Sequence, residues 1–364
     1  MGDMVSTPMV IVDADRLDRN IATMANALRA KGIALRPHVK THKIVEIARK
    51  QTAAGACGLT VATVGEAEAF AYADGEDFDD LFIAYPLWLT RSSAARLIDV
   101  AERARVSFGV DSVDGARNAG ARLGEAASRF EVVIEVDSGH HRSGVHPDGV
   151  AEIAAAAAEA GLRVSGVFTF PGHSYGTDQA EPAARDEAKA LRRATRLLAE
   201  SGVPVRIRSG GSTPSAALSD GDVLTEARPG VYVFGDAQQW ELGRTEPSDI
   251  ALTVLATVIS RFDDPDGRRI VLDSGSKILG ADRPGYVSGF GRLLDYPDAR
   301  ITALSEHHAT VEFPDSAPLP VRGSRIRVVP NHVCTVLNLV DAVAVAKGGL
   351  VVGTWQVAAR GRNS

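Results

Sequence analysis

Short β-branched runs alternate with longer stretches of helical periodicity over the first two thirds of the chain. A first helix is predicted at residues 15–30, where Leu17, Ile21, Met24 and Leu28 recur at spacings of three and four. Helical patterns also separate most of the predicted strands, which lie at residues 33–39, 58–61, 81–84, 106–110, 131–136, 164–168, 205–209 and 231–234. This alternation predicts an α/β fold of parallel βαβ units, and eight strands favour a closed (β/α)8 barrel of the TIM type. An open doubly wound sheet is the alternative, because periodicity does not show closure.

The pattern changes beyond about residue 245, where strand-like runs follow one another without long helices. A turn at residues 263–267 punctuates them, and the runs lie at residues 250–260, 269–273, 309–313, 325–329, 342–346 and 350–353. We therefore predict a barrel domain at 8–240 and a smaller, mostly β domain at 245–364. The strand-like segment at 8–13 could join the second domain.

Length and composition agree with two domains and exclude some function classes. A chain of 364 residues exceeds the size at which one core usually stops growing. A net charge of −6 gives no electrostatic footprint for nucleic acid or an anionic membrane, and no apolar run is long enough to span a bilayer. Two cysteines cannot form a disulfide framework, and the N-terminal segment lacks a basic, apolar leader. We expect a cytoplasmic protein.

A cluster of cationic residues ends the first predicted barrel strand, in the stretch RPHVKTHK. Strand alternation would put His38, Lys40 and His42 on one side, at the face where barrel enzymes carry their active sites. A lysine crowded by other cations can have a lowered pKa and react as the free amine. A solvated basic strand end would have the same sequence, so spacing alone leaves both interpretations open.

A glycine-rich segment, SGGSTP, directly follows the seventh predicted strand. Successive glycines let the backbone approach a ligand, and free N–H groups there can bind an anion. Barrel enzymes often bind phosphate in the loops after strands seven and eight. The alternative is a flexible turn.

The sequence PNHVC in the second domain predicts a metal site. If the segment is extended, His332 and Cys334 face the same way and could share one ion. Imidazole and thiolate together favour zinc over magnesium or calcium. One His-x-Cys pair is a weak signal, because both residue types are often simply packed.

Three other polar segments follow strands, and each is by itself more often a set of satisfied loop residues than a catalytic group. They lie at residues 135–142, 172–175 and 273–277.

Taken in order, these motifs resemble the family of D-serine dehydratases and D-threonine aldolases, from the TPMVIVD opening to the last strands. RPHVKTHK, EVDSGHHRSGV, PGHSY, SGGSTP, RPGVYVFGD, LDSGSK and PNHVC carry the resemblance. It implies the alanine-racemase-like architecture, a pyridoxal 5'-phosphate (PLP) barrel followed by a β domain. It also implies a small D-amino acid substrate, a divalent metal taken to be zinc, and a homodimer.

The resemblance assigns roles to individual residues. Lys40, rather than Lys43, is the Schiff-base lysine, and His332 and Cys334 are the metal ligands. His173 is the second catalytic candidate. The cofactor-binding residues are Lys40 with His38, Arg142, Tyr175, Gly210, Gly211, Ser212 and Thr213.

The chain departs from the family's usual pattern at several positions. His140 and His141 stand where relatives usually have smaller or amide residues, and Thr335 stands where proline is frequent. Aldolases of the family carry aspartate at the position of Cys334 and histidine at that of Pro171. The last two differences favour dehydration over aldol cleavage.

The leading hypothesis is a PLP- and metal-dependent lyase that converts D-serine, or a similar β-hydroxy D-amino acid, to a 2-oxo acid and ammonia. Lys40 would remove the Cα proton, and the metal would bind the β-hydroxyl as a Lewis acid. The alternative is a D-threonine aldolase, with His173, His307 or His308 as the base. A racemase using Tyr286, or a PLP carrier without turnover, are the remaining alternatives.

Overall fold

The structure is a computed structural model that describes residues 6–75, 78–264 and 267–364. Two features predicted from the sequence lie partly outside the described residues. These are the first five residues of the N-terminal segment without a leader pattern, and residues 265–266 of the predicted turn.

The first described strand, β1 (Met9–Asp13), belongs to a second sheet, and the next eight strands form a parallel barrel sheet. These eight are β2 (Ala34–Leu35), β3 (Leu59–Val61), β4 (Asp80–Pro86), β5 (Arg105–Val110), β6 (Glu131–Glu135), β7 (Arg163–Phe168), β8 (Ile207–Gly210) and β9 (Glu226–Ala227). Their spatial order is β2-β9-β8-β7-β6-β5-β4-β3.

The two end strands of this curled sheet are joined to each other. The amide of Cys57 donates to the carbonyl of Leu35 at 2.9 Å, and the amide of Thr60 donates to the carbonyl of Pro37 at 2.9 Å. His38 and Thr60 form an isolated parallel bridge between the same segments. The eight strands therefore form a ring, and the predicted α/β barrel is confirmed.

Helices return the chain between most consecutive barrel strands, and side-chain caps fix the first turns of three of them. Thr63 and Ser112 each accept an amide hydrogen bond from the first turn, and Thr90 forms a capping box with Ser93. The helices are α1 (Ala14–Arg29), α2 (Val45–Ala53), α3 (Val64–Ala71), α4 (Arg91–Val100), α5 (Val113–Leu123), α6 (Val150–Glu159), α7 (Ala180–Glu200), α8 (Ala237–Glu241), α9 (Ser276–Leu279) and α10 (Val333–Leu339).

Ion pairs as well as apolar side chains fill the barrel interior. Around the starts of β4, β5 and β9, Arg36 donates to both carboxylate oxygens of Asp80, at 3.0 and 3.1 Å, and to Glu226 at 2.8 Å. Arg105 forms a further ion pair with Asp80. We call Arg36, Asp80, Arg105 and Glu226 the paired network. Burial of such charges is tolerable only because each carboxylate meets a guanidinium.

The remaining strands form a second, mixed sheet in which antiparallel pairs predominate. They are β10 (Leu252–Asp264), β11 (Gly267–Leu272), β12 (Gly291–Leu293), β13 (Arg300–Leu304), β14 (Ala309–Glu312), β15 (Arg325–Pro330), β16 (Ala342–Lys347) and β17 (Leu350–Gln356). The order is β13-β14-β11-β10-β1-β16-β17, with β15 paired to β10 and β12 paired to β15. The strand β1 lies between β10 and β16, with Ile11 opposite Ala344. The predicted β domain is thereby confirmed as part of the fold.

Two strand predictions were wrong. Residues 231–234 are not the eighth barrel strand: Val231–Val233 is a 3-10 helix, and β9 takes that place. Four consecutive buried apolar residues suit a buried turn of helix as well as a strand. The strand predicted at 33–39 ends early, because Pro37 has no N–H for the ladder and Val39–Thr41 form a 3-10 helix.

By spatial contact the chain divides into two compact units. The barrel unit comprises Ala22–Lys40, Val45–Gly230 and Gly361–Ser364. The sheet unit comprises the residues up to Ile21, Thr41–Ile44 and Val231–Arg360. The limits 8–240 and 245–364 stay a prediction for independent domains. Among the described residues, no helix combines the length and apolar character needed to cross a bilayer.

Candidate active site

Lys40 is the last residue of the barrel unit before the chain passes into the sheet unit. It lies half-buried in the 3-10 helix Val39–Thr41, so the strand alternation expected for His38, Lys40 and His42 does not apply. Lys43, the other lysine of the motif, belongs to the sheet unit, where its Nζ donates to Oδ1 of Asn338 at 3.0 Å. The two lysines thus differ in both unit and environment.

His38 precedes this helix and is surrounded by positive charge. Burial lowers the pKa of His38 well below its ordinary value, and Lys40, Arg228 and Arg142 lower it further, against a hydrogen bond with the Thr60 backbone. Its Nδ1 is buried and meets no hydrogen-bond partner among the described residues. We call His38, Lys40, Arg142 and Arg228 the cationic mouth.

Arg228, which follows β9, is a buried cation that the motif analysis did not assign to the site. Its guanidinium donates to Oγ of Ser209 at 2.5 Å and to the carbonyl of Thr169 at 2.6 Å. Its Cζ lies 5.3 Å from the ring centre of Phe168. Burial lowers the pKa of Arg228 to about 10, although Glu226 raises it. The Arg-Pro-Gly sequence directly after a barrel strand was the feature that could have indicated a role for Arg228 in the site.

Arg142 lies beside a recess at the end of β6. Its guanidinium is 4.9 Å from the centre of the Phe170 ring. The recess is shallow and is lined in part by Glu135, Arg142, His140 and Phe170. Burial raises the pKa of Glu135, and its Oε2 has no hydrogen-bond partner among the described residues.

The glycine-rich loop after β8 adopts a backbone that needs its glycines, but for a different reason from the one predicted. A Cβ at Gly210 would lie 2.3 Å from Oε1 of Glu187, and one at Gly211, where φ is +76°, would lie 3.0 Å from Cβ of Ala227. The absence of side chains at Gly210 and Gly211 therefore leaves space for Glu187 and Ala227, which pack behind the loop. The amide of Gly211 donates to Glu187 at 2.6 Å, which leaves fewer free N–H groups than predicted.

The hydroxyl groups of this loop are held in a buried chain. Oγ of Ser212 lies 2.8 Å from Oγ of Ser174 and 2.8 Å from Oγ of Ser215. The amide of Ser212 donates to Oγ of Ser215 at 3.1 Å. Ser212 is therefore fixed in position next to Thr213.

His173 lies in the 3-10 helix Gly172–Tyr175, next to His140. Its ring packs over Gly139, where a Cβ would lie 3.3 Å from Cε1 of His173. Its Nε2 is 3.4 Å from Oδ2 of Asp186. Burial lowers the pKa of His140, as do Arg142 and His173. Tyr175 lies 6.4 Å from Phe170, ring centre to ring centre.

The residues of the barrel unit fit an aldehyde cofactor that carries a phosphate. A half-buried lysine supplies an amine, and the cationic mouth supplies positive charge without matching carboxylate pairs. Unpartnered buried atoms, Nδ1 of His38 and Oε2 of Glu135, are polar groups that a ligand could satisfy. PLP meets these requirements.

The predicted metal ligands lie together in the sheet unit, although the segment is not extended as assumed. His332 is the N-cap of α10 and Cys334 lies in its first turn. Burial acts to lower the pKa of His332, but contact with Cys334 and with Asp236 raises it well above its ordinary value. Sγ of Cys334 is 3.4 Å from Oγ1 of Thr41.

Asp236 is a member of this group that the sequence did not single out. Its Oδ2 lies 3.3 Å from Nδ1 of His332, and its Oδ1 accepts from the amide of Gln239 at 2.9 Å. A carboxylate on one ring nitrogen orients the histidine for a metal on the other. Within the described ranges, no group of three or more His, Cys, Asp or Glu side chains is arranged to hold an ion. The donor set is thus one imidazole and one thiol, which suits zinc and leaves coordination positions open.

The other candidates from the sequence have structural partners. The carboxylate of Asp273 accepts from the amide of Thr257 at 2.7 Å, and Lys277 pairs with Glu306 at 2.7 Å. His307 and His308 are exposed in the turn between β13 and β14. The hydroxyl of Tyr286 donates to Oε1 of Gln238 at 3.0 Å.

Two family models match the chain: the N-terminal domain of alanine racemase at residues 12–238, and a putative serine dehydratase domain at residues 251–346. The chain is also 35% identical to a D-threo-3-hydroxyaspartate dehydratase of Delftia sp. (strain HT23), over 97% of each chain. The chain belongs to the D-serine dehydratase and D-threonine aldolase family. This PLP-dependent family has the alanine-racemase-like fold, as predicted.

Solved structures of the family superpose closely on the chain. The Delftia dehydratase has a TM-score of 0.87 at 33% identity, covering 97% of both chains. The D-threonine aldolase of Filomicrobium marinum has a TM-score of 0.87 at 31% identity, covering 98% of this chain and 96% of that one. A D-serine dehydratase of Dictyostelium discoideum is 27% identical over 91% of this chain and 90% of its own. The named relatives are therefore lyases, two of them dehydratases and one an aldolase.

Proposed function

We propose that this chain is a PLP- and metal-dependent lyase that removes water from a β-hydroxy D-amino acid and releases a 2-oxo acid and ammonia. The observation that carries this proposal is the contact of His332 with Cys334, with Asp236 on Nδ1 of the histidine. A Lewis acid on the hydroxyl makes it a better leaving group, and a metal ion held by this donor set would supply that Lewis acid.

Lys40 would hold the cofactor through its ε-amine in this proposal. PLP, when bound, supplies an electron sink that makes the Cα–H bond of the substrate acidic. The amine of Lys40 would accept the Cα proton. The positive charge of Arg142 and Arg228 favours an anionic cofactor and substrate at this end of the barrel. Ser212 and Thr213 bind the phosphate group in this proposal, and the Gly210–Gly211 backbone before them shapes the loop.

His332 and Cys334 hold the metal, which we propose to be zinc because imidazole and thiolate are the donors. A mutant of the Delftia dehydratase in which cysteine is replaced by alanine is described as metal-free, and a histidine two positions earlier has also been replaced. His332 and Cys334 have the same spacing. Aspartate stands at the position of Cys334 in the family's aldolases, so the thiol supports dehydration.

His173 is the second proton-transfer group in this proposal. Its ring lies beside Gly139 and near Asp186, which could stabilise the protonated imidazole. In the alternative aldolase reaction, the same histidine would remove the proton of the β-hydroxyl, and the Cα–Cβ bond would break to give glycine and an aldehyde. The absence of histidine at Pro171 speaks against this alternative.

A racemase is less well supported by the chain's residues. It needs a second base, and the candidate Tyr286 is a poor one. Burial raises its pKa to about 12, helped by Asp236 and Glu241. A phenol with so high a pKa donates its proton and seldom accepts one at neutral pH.

The finer parts of the proposal concern assembly and location. We propose a homodimer, as the resemblance implies, acting in the cytoplasm on a free amino acid. D-serine, D-threonine and D-threo-3-hydroxyaspartate are the substrates to compare, because relatives named for them match the chain.

A product assay tests the reaction type. Protein reconstituted with PLP and zinc is incubated with D-serine, D-threonine, D-threo-3-hydroxyaspartate and D-alanine in turn. We expect ammonia and the matching 2-oxo acid from one or more of the first three, and no change in D-alanine. Glycine with an aldehyde would replace the proposal by the aldolase, and L-alanine would replace it by the racemase.

Metal removal tests the role of His332 and Cys334. Chelation should reduce turnover by roughly 10²-fold or more while the visible absorbance of bound PLP persists. Cys334→Ser should show the same loss at limiting zinc. Cys57→Ser is the matched control, because Cys57 is the other cysteine of the chain. Full activity of the chelated protein would remove the metal from the reaction.

A further inference from the structure

Glu187 is a buried carboxylate behind the glycine-rich loop, and it has no role in the reaction proposed above. It lies on α7 and is fully buried. Its Oε1 accepts from the amide of Gly211 at 2.6 Å, and its Oε2 accepts from Oγ of Ser219 at 3.3 Å. Across the described part of the chain, no Lys, Arg or His lies within 4.0 Å of this carboxylate, so it is held only by neutral donors.

The loop is built around this carboxylate. A Cβ at Gly210 would lie 2.3 Å from Oε1 of Glu187, so only glycine fits there. The peptide between Gly210 and Gly211 is held on both sides: its N–H donates to Glu187, and its carbonyl accepts from the amide of Arg228 at 2.8 Å. Glu187 therefore fixes the orientation of the peptide that precedes Ser212 and Thr213.

A phosphate bound at Ser212 and Thr213 would face a second anion across one peptide. The carboxylate already accepts an N–H group of the kind that loops offer to phosphate. Two anions that are separated by one peptide group in a buried setting repel each other. Protonation of one of them removes most of that repulsion. A protonated Glu187 can still accept from Gly211 through its carbonyl oxygen and can donate its proton to Ser219.

We propose that Glu187 is a positioning residue for the phosphate loop and takes up a proton from solvent when a phosphate group binds there. The inference rests on the proposed function, since it takes the phosphate of PLP as the ligand. The proton ends on a carboxylate oxygen, and no bond in the cofactor is made or broken by this step.

The surroundings of Glu187 favour such a proton uptake. Burial raises its pKa to about 7, while the Gly211 amide, the charge of Arg228 and the Ser219 hydroxyl act in the opposite direction. Among the described residues, Arg228 is the charged group that acts on it. The titratable groups on the elements packed against α7 are Asp148, Glu152, Glu159, Arg163, His173, Tyr175 and Arg208.

The sign of the pH dependence follows from linkage. Below the pKa the carboxyl is already protonated and phosphate binds without penalty. As pH rises through about 7, binding must bring in a proton, so the affinity for phosphate falls. The slope is at most tenfold per pH unit. Pyridoxal lacks the phosphate group but forms the same link to lysine. The ratio of the PLP affinity to the pyridoxal affinity therefore isolates the contribution of the phosphate group to binding.

The experiment titrates the cofactor-free protein with PLP and with pyridoxal between pH 7 and 9, where the phosphate of PLP is already a dianion. Wild type, Glu187→Gln and Glu200→Gln are compared. Glutamine keeps the acceptor for Gly211 and is always neutral, and Glu200 is an exposed glutamate on the same helix. We expect the PLP-to-pyridoxal affinity ratio to fall roughly tenfold over this range in wild type and Glu200→Gln, and to stay level in Glu187→Gln.

Each outcome decides something. The same pH slope in wild type and Glu187→Gln, or weaker PLP binding by a folded Glu187→Gln at every pH, overturns the inference. A wild type that binds neither aldehyde overturns the proposed function and this inference with it. If Glu187→Gln fails to fold, Ser219→Ala replaces it. Loss of that hydroxyl should raise the pKa of Glu187 and move the fall in the ratio to higher pH, and an unmoved curve contradicts the coupling.

Discussion

The two ends of the barrel interior both carry buried charge, yet they are built differently. In the paired network, around the strand starts, Arg36 meets Asp80 and Glu226 at hydrogen-bond distance. In the cationic mouth, Arg142 and Arg228 lie near Lys40 and depress the pKa of His38. The carboxylates Glu226, Glu187 and Glu135 attract Arg228, but none of them forms an ion pair with it among the described residues. One end satisfies its own charges, and the other collects charge of one sign.

This difference separates a structural role from a functional one. A buried ion pair in good geometry roughly offsets its own desolvation, so it can persist without any ligand. Uncompensated cations in a cavity raise the free energy of the empty protein and bind an anion in return. We therefore propose that the paired network serves folding and that the cationic mouth serves binding. Five predictions test this division.

Lys40→Ala should have the largest effect, confined to function. Turnover should fall by roughly 10³-fold or more, and the visible absorbance of lysine-bound PLP should disappear, because anchor and base are lost together. Thermal unfolding of the cofactor-free protein should be unchanged. Lys189→Ala, an exposed lysine on α7, is the control. A persisting visible band would move the anchor to another lysine, with Lys43 the first to test.

Arg36→Met should be the most damaging change to stability. It leaves Asp80 and Glu226 as buried carboxylates without a partner, which costs about 3–5 kcal/mol of unfolding free energy. Denaturant unfolding of the cofactor-free protein measures it. Arg129→Met, which breaks an exposed pair with Glu102, should cost less than about 1 kcal/mol. Equal losses in the two variants would contradict the structural role of the paired network.

As pH falls, the cationic mouth should lose its contribution to the free energy of unfolding before the paired network does. Burial, with Lys40, Arg228 and Arg142, holds the pKa of His38 well below 6.5, so folded His38 stays neutral while the unfolded chain gains a proton. Stability should therefore fall below pH 6.5, by up to about 1.4 kcal/mol per pH unit. His38→Gln should reduce this slope between pH 7.5 and 5.5. An unchanged slope in the variant would show that other groups are responsible.

The paired network should lose stability in the same direction, as pH falls, but in a lower pH window. Burial favours the protonated form of Asp80, but hydrogen bonds from Arg36 and Arg105 outweigh it and lower the pKa below 3.8. Its contribution is complete above that value and is lost only as pH falls further. Unfolding curves at pH 5 and pH 3 should therefore show a second loss that His38→Gln leaves intact.

Arg142→Met should have the smallest effect on the protein and a measurable one on binding. Arg142 is exposed, so its removal should change stability by less than about 0.5 kcal/mol. The affinity for PLP should weaken roughly tenfold, since one favourable charge is lost. Titration of the cofactor-free protein measures this, with Arg129→Met as the neutral comparison. An unaltered affinity would remove Arg142 from the cofactor site.

The fold class and the motifs made of neighbouring residues could be predicted from the sequence. Lys40, the Gly210–Thr213 loop and the His332–Cys334 pair each lie in a short local motif, and the resemblance to the family assigned their roles. The eight-strand count also held, although the run at 231–234 was mistaken for a strand that lies at Glu226–Ala227. A two-residue strand that begins with a buried glutamate has no hydrophobic pattern to detect.

Partners contributed from distant segments were missed for a different reason. Glu187 reaches Gly211 from the preceding helix, and Asp236 reaches His332 from almost a hundred residues earlier. Each is an ordinary acidic residue in its local sequence, and only tertiary pairing gives it a role. The strands β12 and β13 were missed because their short segments, next to Gly, Pro and Asp residues, read as loop.

The route of the chain between the two compact units has a consequence for how such an enzyme can be rearranged. The chain changes unit five times, after Ile21, Lys40, Ile44, Gly230 and Arg360. A cut near residue 240 would separate Thr41–Ile44 and the opening strand from the rest of the sheet unit. Recombination of one half with another scaffold should therefore give insoluble or unfolded products, and diversification of this lineage should proceed by point substitution and loop change rather than by exchange of modules.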